Sequence, residues 1–279
     1  MAYQQITRYN HGRPITEDEM RLYAPSVFAT TAHHSRSERF VPVPTIEMVR
    51  SLTKEGWMPV MAGQSIARLA DKQNFTKHMV RFRRTDRELA THGSIVELVL
   101  RNGNDGTSAY KLDAGVFRIA CLNGLVTKSS DYGSINVRHS GRAVDKVIEG
   151  SYEVLQNAER VLAAPQDWSS IQLNQDERRI FADSAHLIRF DRDENGNAHT
   201  GVTPEQLLQP RRFEDRLNDL WMTFNVVQEN AVRGGITAQA EGASRRSTTR
   251  EVRGVDQNVK LNMALWALAE QMAKLKKAG

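Results

Sequence analysis

One cysteine in 279 residues excludes an intramolecular disulfide. Cys121 falls in the apolar run FRIAC and reads as a small buried thiol. Long hydrophobic runs are also missing. The longest, MALWALA at 263–269, is far short of the roughly 20 residues a membrane span needs, and the first 20 residues hold no apolar signal core. These absences predict a soluble, cytoplasmic protein with no membrane partner. Aromatic residues are only 7% of the chain. Tyr110, His78 and Phe82 have rings that could stack on bases, although Phe82 fits a core position better.

Catalytic signatures are equally scarce. No G-x-x-x-x-G-K-S/T loop is present, which argues against ATP hydrolysis, and the His33-His34 pair has no H-E-x-x-H or C-x-x-C beside it to suggest zinc. Gly103 and Gly106 lie between strand-like segments, not between a strand and a helix, so they do not make a dinucleotide fingerprint. The stretch DRDENGNAHTGV starts like a calcium loop, with Asp191, Asp193, Asn195 and Gly196 at positions 1, 3, 5 and 6. It then fails, because position 12 is Val202 and position 8 is Ala198. An acidic turn explains it without metal. No nucleophile is paired with an evident base. We therefore expect no enzyme activity, no cofactor and no metal. A metal-dependent nuclease built on Asp183, Asp191 and Asp193 is the least supported alternative.

What the sequence does contain is ordinary globular material, 40% hydrophobic and 25% charged, with 38 Lys plus Arg against 33 Asp plus Glu. The formal charge of +5 is mild and suggests an anionic partner. Residues 1–35 read as an irregular segment with a helix start at Thr16 to Glu19. Residues 36–141 are β-rich. That region opens with a strand at 39–43 and a short helix from Thr45 closed by Gly56. A strand in WMPVMAGQSIARLA, interrupted by Gly63, follows, and then KHMVRFRR. Strands at 95–101 and 108–113 flank the NGNDG turn, Gly115 breaks or bulges the ladder, VFRIACL continues it, and Asn123-Gly124 leads to a strand at 134–139.

Residues 142–232 change to a helical period. One helix runs over 142–164 and ends near Pro165. A second buries Ile180, Phe181, Ala185 and Ile188, and a third Leu217, Leu220, Trp221, Phe224, Val227 and Ala231. The polar side of the third, with Asn225, Gln228, Glu229 and Asn230, forms either a buried hydrogen-bond network or a wet face. Residues 233–257 make a flexible Arg-rich loop, and 258–279 a C-terminal helix apolar nearly all round its middle. Such a helix is buried on several sides of a monomeric core or shared with a second copy, and the second case would make a homo-oligomer. Strands first and helices later predict an α+β fold: a mainly antiparallel sheet in the N-terminal half with a helical C-terminal half packing on it.

Two groups of cations carry the functional reading. Alternation puts Lys77, Met79, Arg81 and Arg83 on one face, and Arg118 and Arg138 are expected to join them outside the sheet, where they track phosphates or merely keep the sheet soluble. The loop GGITAQAEGASRRSTTREVRG sets Arg245, Arg246, Arg250 and Arg253 against Glu241 and Glu251, a net +2. Planar guanidinium forks among Ser and Thr hydroxyls suit phosphate contact, and a mobile solvated linker is the plainer alternative.

The segments DAGVFRIACLNGLV at 113–126, DLWMTFNVVQENAVRGG at 219–235 and NVKLNMALWALAE at 258–270 resemble the phage- and plasmid-like family grouped as domain of unknown function 932, over about residues 24 to 272. The resemblance implies genes carried on prophages and plasmids near antirestriction and DNA-repair-like genes, hence a role in the DNA life of a mobile element. It supplies no catalytic residue. A basic sheet backed by helices also looks like the strand-annealing proteins that form rings. The expected function is thus nucleic-acid binding, of single-stranded DNA in particular, during replication, recombination or defence evasion. The alternative is a factor that binds a host defence or replication protein.

Overall fold

The computed structural model describes residues 3–7, 13–30, 43–66, 70–84, 89–91, 94–103, 109–118, 124–126, 134–137, 142–190, 200–240 and 242–278. The fold is α+β, with an antiparallel sheet in the N-terminal half and helices in the C-terminal half. The chain divides into two compact units: Met1–Leu162 with Arg253–Asp256, and Ala163–Val252 with Gln257–Gly279.

In the first unit, β1 (Tyr3–Thr7), β2 (Trp57–Ser65), β3 (His78–Arg84), β4 (Ala90–Thr91), β5 (Ser94–Asn102), β6 (Tyr110–Arg118), β7 (Gly124–Val126) and β8 (Ser134–Val137) form one sheet. Its order is β1-β2-β3-β5-β6-β7, with β4 on β5 and β8 on β6, and every pairing is antiparallel. Two glycines behave differently from their expected role as breakers. Gly63 stays inside β2 opposite Met79, and Gly115 pairs with Glu97 in a β5–β6 ladder that runs without a shift from Ser94↔Arg118 to Arg101↔Lys111. The irregularity falls instead between Pro59 and Met61. Proline cannot donate a ladder hydrogen bond, so a strand containing it shifts register there. The strand expected at 39–43 lies almost wholly outside the described residues, as do Cys121 and the His33-His34 pair.

Every residue of β5 is buried. A strand covered on both sides ordinarily reads as continuous Val, Ile and Leu, and SIVELVLRN follows that rule except for its charges. One side of the sheet holds Val80, Phe82, Leu98, Leu100, Tyr110 and Leu112, all fully buried. After α1 (Glu17–Tyr23), the helix α2 (Thr45–Lys54) packs at this level, closed as expected at Gly56, whose φ is +88°. Gly150 of α3 (Ala143–Ser169) comes so close to the sheet that an added Cβ would stand 2.4 Å from Ile135 Cδ1 and 3.1 Å from Leu112 Cδ2. His78 closes the polar seam on this side, with Nδ1 3.0 Å from Ser26 Oγ and Nε2 2.8 Å from Thr45 Oγ1. Tyr110 donates its hydroxyl hydrogen to the Val43 carbonyl, and burial pushes that hydroxyl's pKa up.

α3 does not end at Pro165 but continues to Ser169. Losing one helical hydrogen bond at a proline is tolerated here because the extra turn delivers Trp168 into the core of the second unit. Trp168, Trp221, Phe224 and Trp266 meet there, with Trp168 and Trp266 centroids 4.4 Å apart and Phe224 edge-on to Trp266 at 5.9 Å. Trp221 and Phe224 come from α6 (Leu220–Arg233), which follows the single-turn α5 (Pro204–Leu207). Trp266 comes from α7 (Val255–Ala278), of which all but the first two residues belong to the second unit.

α4 (Gln175–Arg189) starts at a capping box, in which the Glu177 N–H donates to Asn174 Oδ1 at 2.9 Å and the Asn174 N–H to Glu177 Oε2 at 2.8 Å. Its buried row is Phe181, Ala182, Ala185 and His186, so Ile180 and Ile188 are exposed, contrary to the periodicity reading. Leu217 likewise precedes α6 and is exposed. Among the described residues no helix is long and apolar enough to cross a membrane.

Candidate nucleic-acid interface

The strand register decides what becomes of the cations on the sheet. Arg81 pairs with Val99, and Val99 with Asp113, so Arg81 shares a row with Asp113. One step along the same face, Glu97 stands opposite Gly115. Gly115 has no side chain, which leaves room for guanidinium groups above it. Arg81 Nε donates to Glu97 Oε2 at 2.6 Å and Arg83 Nε to Glu97 Oε1 at 2.8 Å, around a carboxylate with no exposure. Arg81 itself is only 3% exposed, with its Cζ 3.2 Å from the centre of the Phe117 ring. Next along, Arg101 donates to Asp113 Oδ2 from Nε at 3.0 Å and Nη2 at 2.5 Å, and Lys77 pairs with Asp256.

The expected open cationic plane is therefore corrected. Lys77, Arg81 and Arg83 do meet on one face, but each is paired with a carboxylate, Arg81 and Arg83 with Glu97 and Lys77 with Asp256, and Arg81 is sealed. Arg118 pairs with Ser94 at the end of the β5–β6 ladder, and its side chain lies outside what is described. Arg138 lies outside the described residues. The candidate stacking groups Tyr110, His78 and Phe82 are fully buried and out of reach of a base.

The second group of arginines has the opposite character. Within 233–257, expected as a flexible Arg-rich loop, residues 234–240 and 242–250 hold a ribbon of β9 (Thr237–Ala238) and β10 (Ser247–Thr248) in the second unit. The Gly235 N–H donates to the Thr249 carbonyl at 2.8 Å and the Thr249 N–H to the Ile236 carbonyl at 2.9 Å. Two glycines seat the ribbon. A Cβ on Gly201 would lie 2.0 Å from the Gln239 carbonyl oxygen, and one on Gly234, at φ +63°, 2.7 Å from backbone atoms of Thr249 and Arg250. Arg189 adds a clamp by donating from Nη2 to the Arg250 carbonyl at 3.0 Å.

On this frame Arg245, Arg246 and Arg250 are exposed, beside the exposed Ser244, Ser247 and Thr248, and none of the three is in an ion pair among the described residues. Arg253 is exposed as well but belongs to the first unit.

The root of the ribbon is also cationic. Arg211 donates from Nε to Asn230 Oδ1 at 2.8 Å and from Nη2 to the Gly234 carbonyl, and partial burial lowers its pKa from the guanidinium's ordinary value. Glu229, 2% exposed, holds Arg233 at 2.7 Å and both Nη atoms of Arg212. Arg212 also reaches Asp215 Oδ2 at 2.8 Å. The polar side of α6 is thus buried: Asn230 Nδ2 donates to the Leu207 and Gln209 carbonyls, both at 2.9 Å, and Gln228 Nε2 to Asn262 Oδ1 at 2.7 Å. Sequence reading missed Arg211, Arg212 and Glu229 as one cluster. The available signal was a glutamate inside an apolar helical period, which must find cations when buried.

Asp183 is partly buried on α4, whereas Asp191 and Asp193 lie outside the described residues. No group of three His, Cys, Asp or Glu able to hold a metal ion occurs among the described residues.

Residues 32–266 match the family described as Domain of unknown function (DUF932). Over 261 residues the chain is 42% identical to UPF0380 protein YafZ of Escherichia coli (strain K12), which covers 93% of this chain and 92% of that protein. UPF0380 protein YfjQ of the same organism is similar to the same extent, 42% over 261 residues. No solved structure matches.

Proposed function

The chain belongs to the DUF932 family, and from that premise we propose that it is a non-enzymatic nucleic-acid-binding protein of a phage or plasmid. In this reading it takes single-stranded DNA on the arginine ribbon of its second unit. The observation that carries the proposal is the exposure of Arg245, Arg246 and Arg250 on an anchored ribbon with no carboxylate partner among the described residues. An exposed guanidinium that is not already paired is free to bind a phosphate in bidentate fashion, and a hydrogen-bonded ribbon lowers the cost of ordering it. The neighbouring hydroxyls add donors to phosphate oxygens. The contacts are to backbone phosphates, so the binding is weakly selective for sequence.

Fluorescence anisotropy of a labelled single-stranded oligonucleotide, repeated across salt, tests this. Each neutralised phosphate on a single strand contributes about −0.7 to the slope of log K against log salt. Replacing Arg245, Arg246 and Arg250 together by Ala is expected to make the slope shallower by about 2 and weaken binding at low salt, with the thermal midpoint unchanged. Absence of binding at low salt, or a triple variant identical to the parent, removes the proposal.

A second reading, a factor that binds a host protein, is favoured by the exposed apolar residues Ile180, Leu187 and Ile188 of α4. Ile180→Asp with Leu187→Asp separates the two readings, since under the ribbon reading it leaves the salt slope untouched.

A further inference from the structure

A small open cleft in the first unit is walled by Lys77, Arg101, Lys111, Ala109 and Val255 and closed by Asp256. We propose that this cleft is a phosphate-monoester site held shut by the Asp256 carboxylate, which occupies the place of two phosphate oxygens until a phosphate displaces it. The proposal concerns residues of the sheet unit only and does not rest on the ribbon reading.

The charge on the face supports it. Arg101 spends Nε and Nη2 on Asp113, which has no exposure, and leaves Nη1 toward Asp256 Oδ1 at 3.4 Å. Lys77 Nζ bonds the other oxygen, Oδ2. Lys111 has no ion pair among the described residues. Three cations, Lys77, Arg101 and Lys111, thus face two carboxylates, Asp113 and Asp256, a net charge of +1, and release of Asp256 leaves +2, the charge that a phosphate dianion matches. Burial pushes the Asp256 carboxyl up, but the Lys77 hydrogen bond and the charges of Lys77, Arg101 and Lys111 outweigh that and hold it below the ordinary carboxylate range.

The carboxylates of this face differ in whether they can leave. Glu97 and Asp113 have no exposure and hold the buried Arg81 and Arg101, so neither can turn out into water without disrupting a buried ion pair. The Asp256 side chain is 46% exposed on the first turn of α7 and can turn out into water without stranding a buried charge. With Asp256 in place the free volume is about 10 Å³, roughly one water, so an anion enters only by replacing the carboxylate. Lysine ammonium groups bind phosphate as point charges, and Arg101 supplies a directional donor.

Isothermal titration of the full chain at constant ionic strength tests this, with inorganic phosphate, adenosine 5′-monophosphate and adenosine as probes. If Asp256 occupies the cleft most of the time, removing it exposes the intrinsic affinity. Asp256→Ala is then expected to bind phosphate saturably and at least about 10-fold more tightly than the parent. Adding Lys111→Ala to that variant returns the affinity to the parent's level or below. The gain on Asp256→Ala and its loss on adding Lys111→Ala are expected to be the same on the background of the ribbon triple variant, which separates this site from the ribbon.

Adenosine 5′-monophosphate bound as well as phosphate makes a nucleotide monoester the ligand, and phosphate bound alone makes it the free ion. Adenosine bound as tightly as its monophosphate overturns the proposal. So does Asp256→Ala without saturable phosphate binding, or binding indifferent to Lys111. Should Asp256→Ala not fold, Asp256→Asn, which removes the charge and keeps the hydrogen-bonding shape, takes its place with the same expectations.

Discussion

Glu97 is the residue on which the sheet turns. It is the acid in a nine-residue strand buried along its whole length, and it answers two arginines at once. Glu97→Ala leaves Arg81 charged and sealed, and is expected to cost about 3–5 kcal/mol in urea unfolding. A loss below about 0.5 kcal/mol would show that Arg81 finds other compensation. Gly234 and Gly242 offer a paired test, because both have positive φ, +63° and +74°, but only Gly234 has backbone within 4 Å of a would-be Cβ. Gly242→Ala meets only the backbone preference, about 1–2 kcal/mol. Gly234→Ala must in addition move Thr249 and Arg250. It is expected to cost more and to speed hydrogen exchange at the Gly235 and Thr249 amides, whereas Gly242→Ala leaves those amides protected. Equal exchange in the two variants would mean that Gly234 does not seat the ribbon.

Among the elements, α7 shows how composition and position divide the explanation. Its middle is apolar nearly all round, and the structure buries much of that surface in the single chain: Val259, Leu261, Leu265, Trp266, Ala269 and Met272 are all buried. Trp266 has no exposure, packs on Trp168 and Phe224, and donates from Nε1 to Glu270 at 3.0 Å. Trp266→Ala is expected to destabilise the chain by about 3–5 kcal/mol, read from the denaturant midpoint by far-ultraviolet circular dichroism. An effect under about 1 kcal/mol would place this cluster outside the stabilising core. The ribbon is the element whose existence least followed from its residues. Gly, Ser, Thr and Arg describe a loop, and only the close approaches at Gly201 and Gly234, with the Arg189 clamp, give it an edge to fold against.

For the whole molecule, ion pairs at the surface set the acid limb of stability. Glu17 is held below the ordinary carboxylate range by its hydrogen bond to Arg50, Glu177 by its bond to Lys276, and Asp256 by Lys77 despite burial that pushes it up. A carboxyl whose folded pKa is lowered contributes stability above its unfolded value, near about 4, and loses it as pH falls through the folded value. Denaturant midpoints are therefore expected to hold from neutral pH down to about 5 and to decline below about 4. Lys276→Met removes the partner of Glu177 and should make that decline shallower. An unchanged acid slope in this variant would show that the Glu177 pair does not contribute to it.

The sequence by itself determined the kind of fold, because period two and period 3.6 are imposed by backbone geometry: KHMVRFRR and SIVELVL had to be strands, and the segment from Leu220 to Ala231 had to be a helix. The resembling segments at 113–118, 220–233 and 258–270 lie on β6, α6 and α7, one strand and two helices as their periods require. Which charges meet was decided only in three dimensions. Arg81 and Glu97 are separated by 16 residues, and Lys77 and Asp256 by 179. Strand register and chain reversal, neither of them encoded in local spacing, bring each cation to its carboxylate. The same physics sorted the arginines. Those at 81 and 83 lost their freedom to a buried acid, and those at 245, 246 and 250 kept theirs because the ribbon holds them in water.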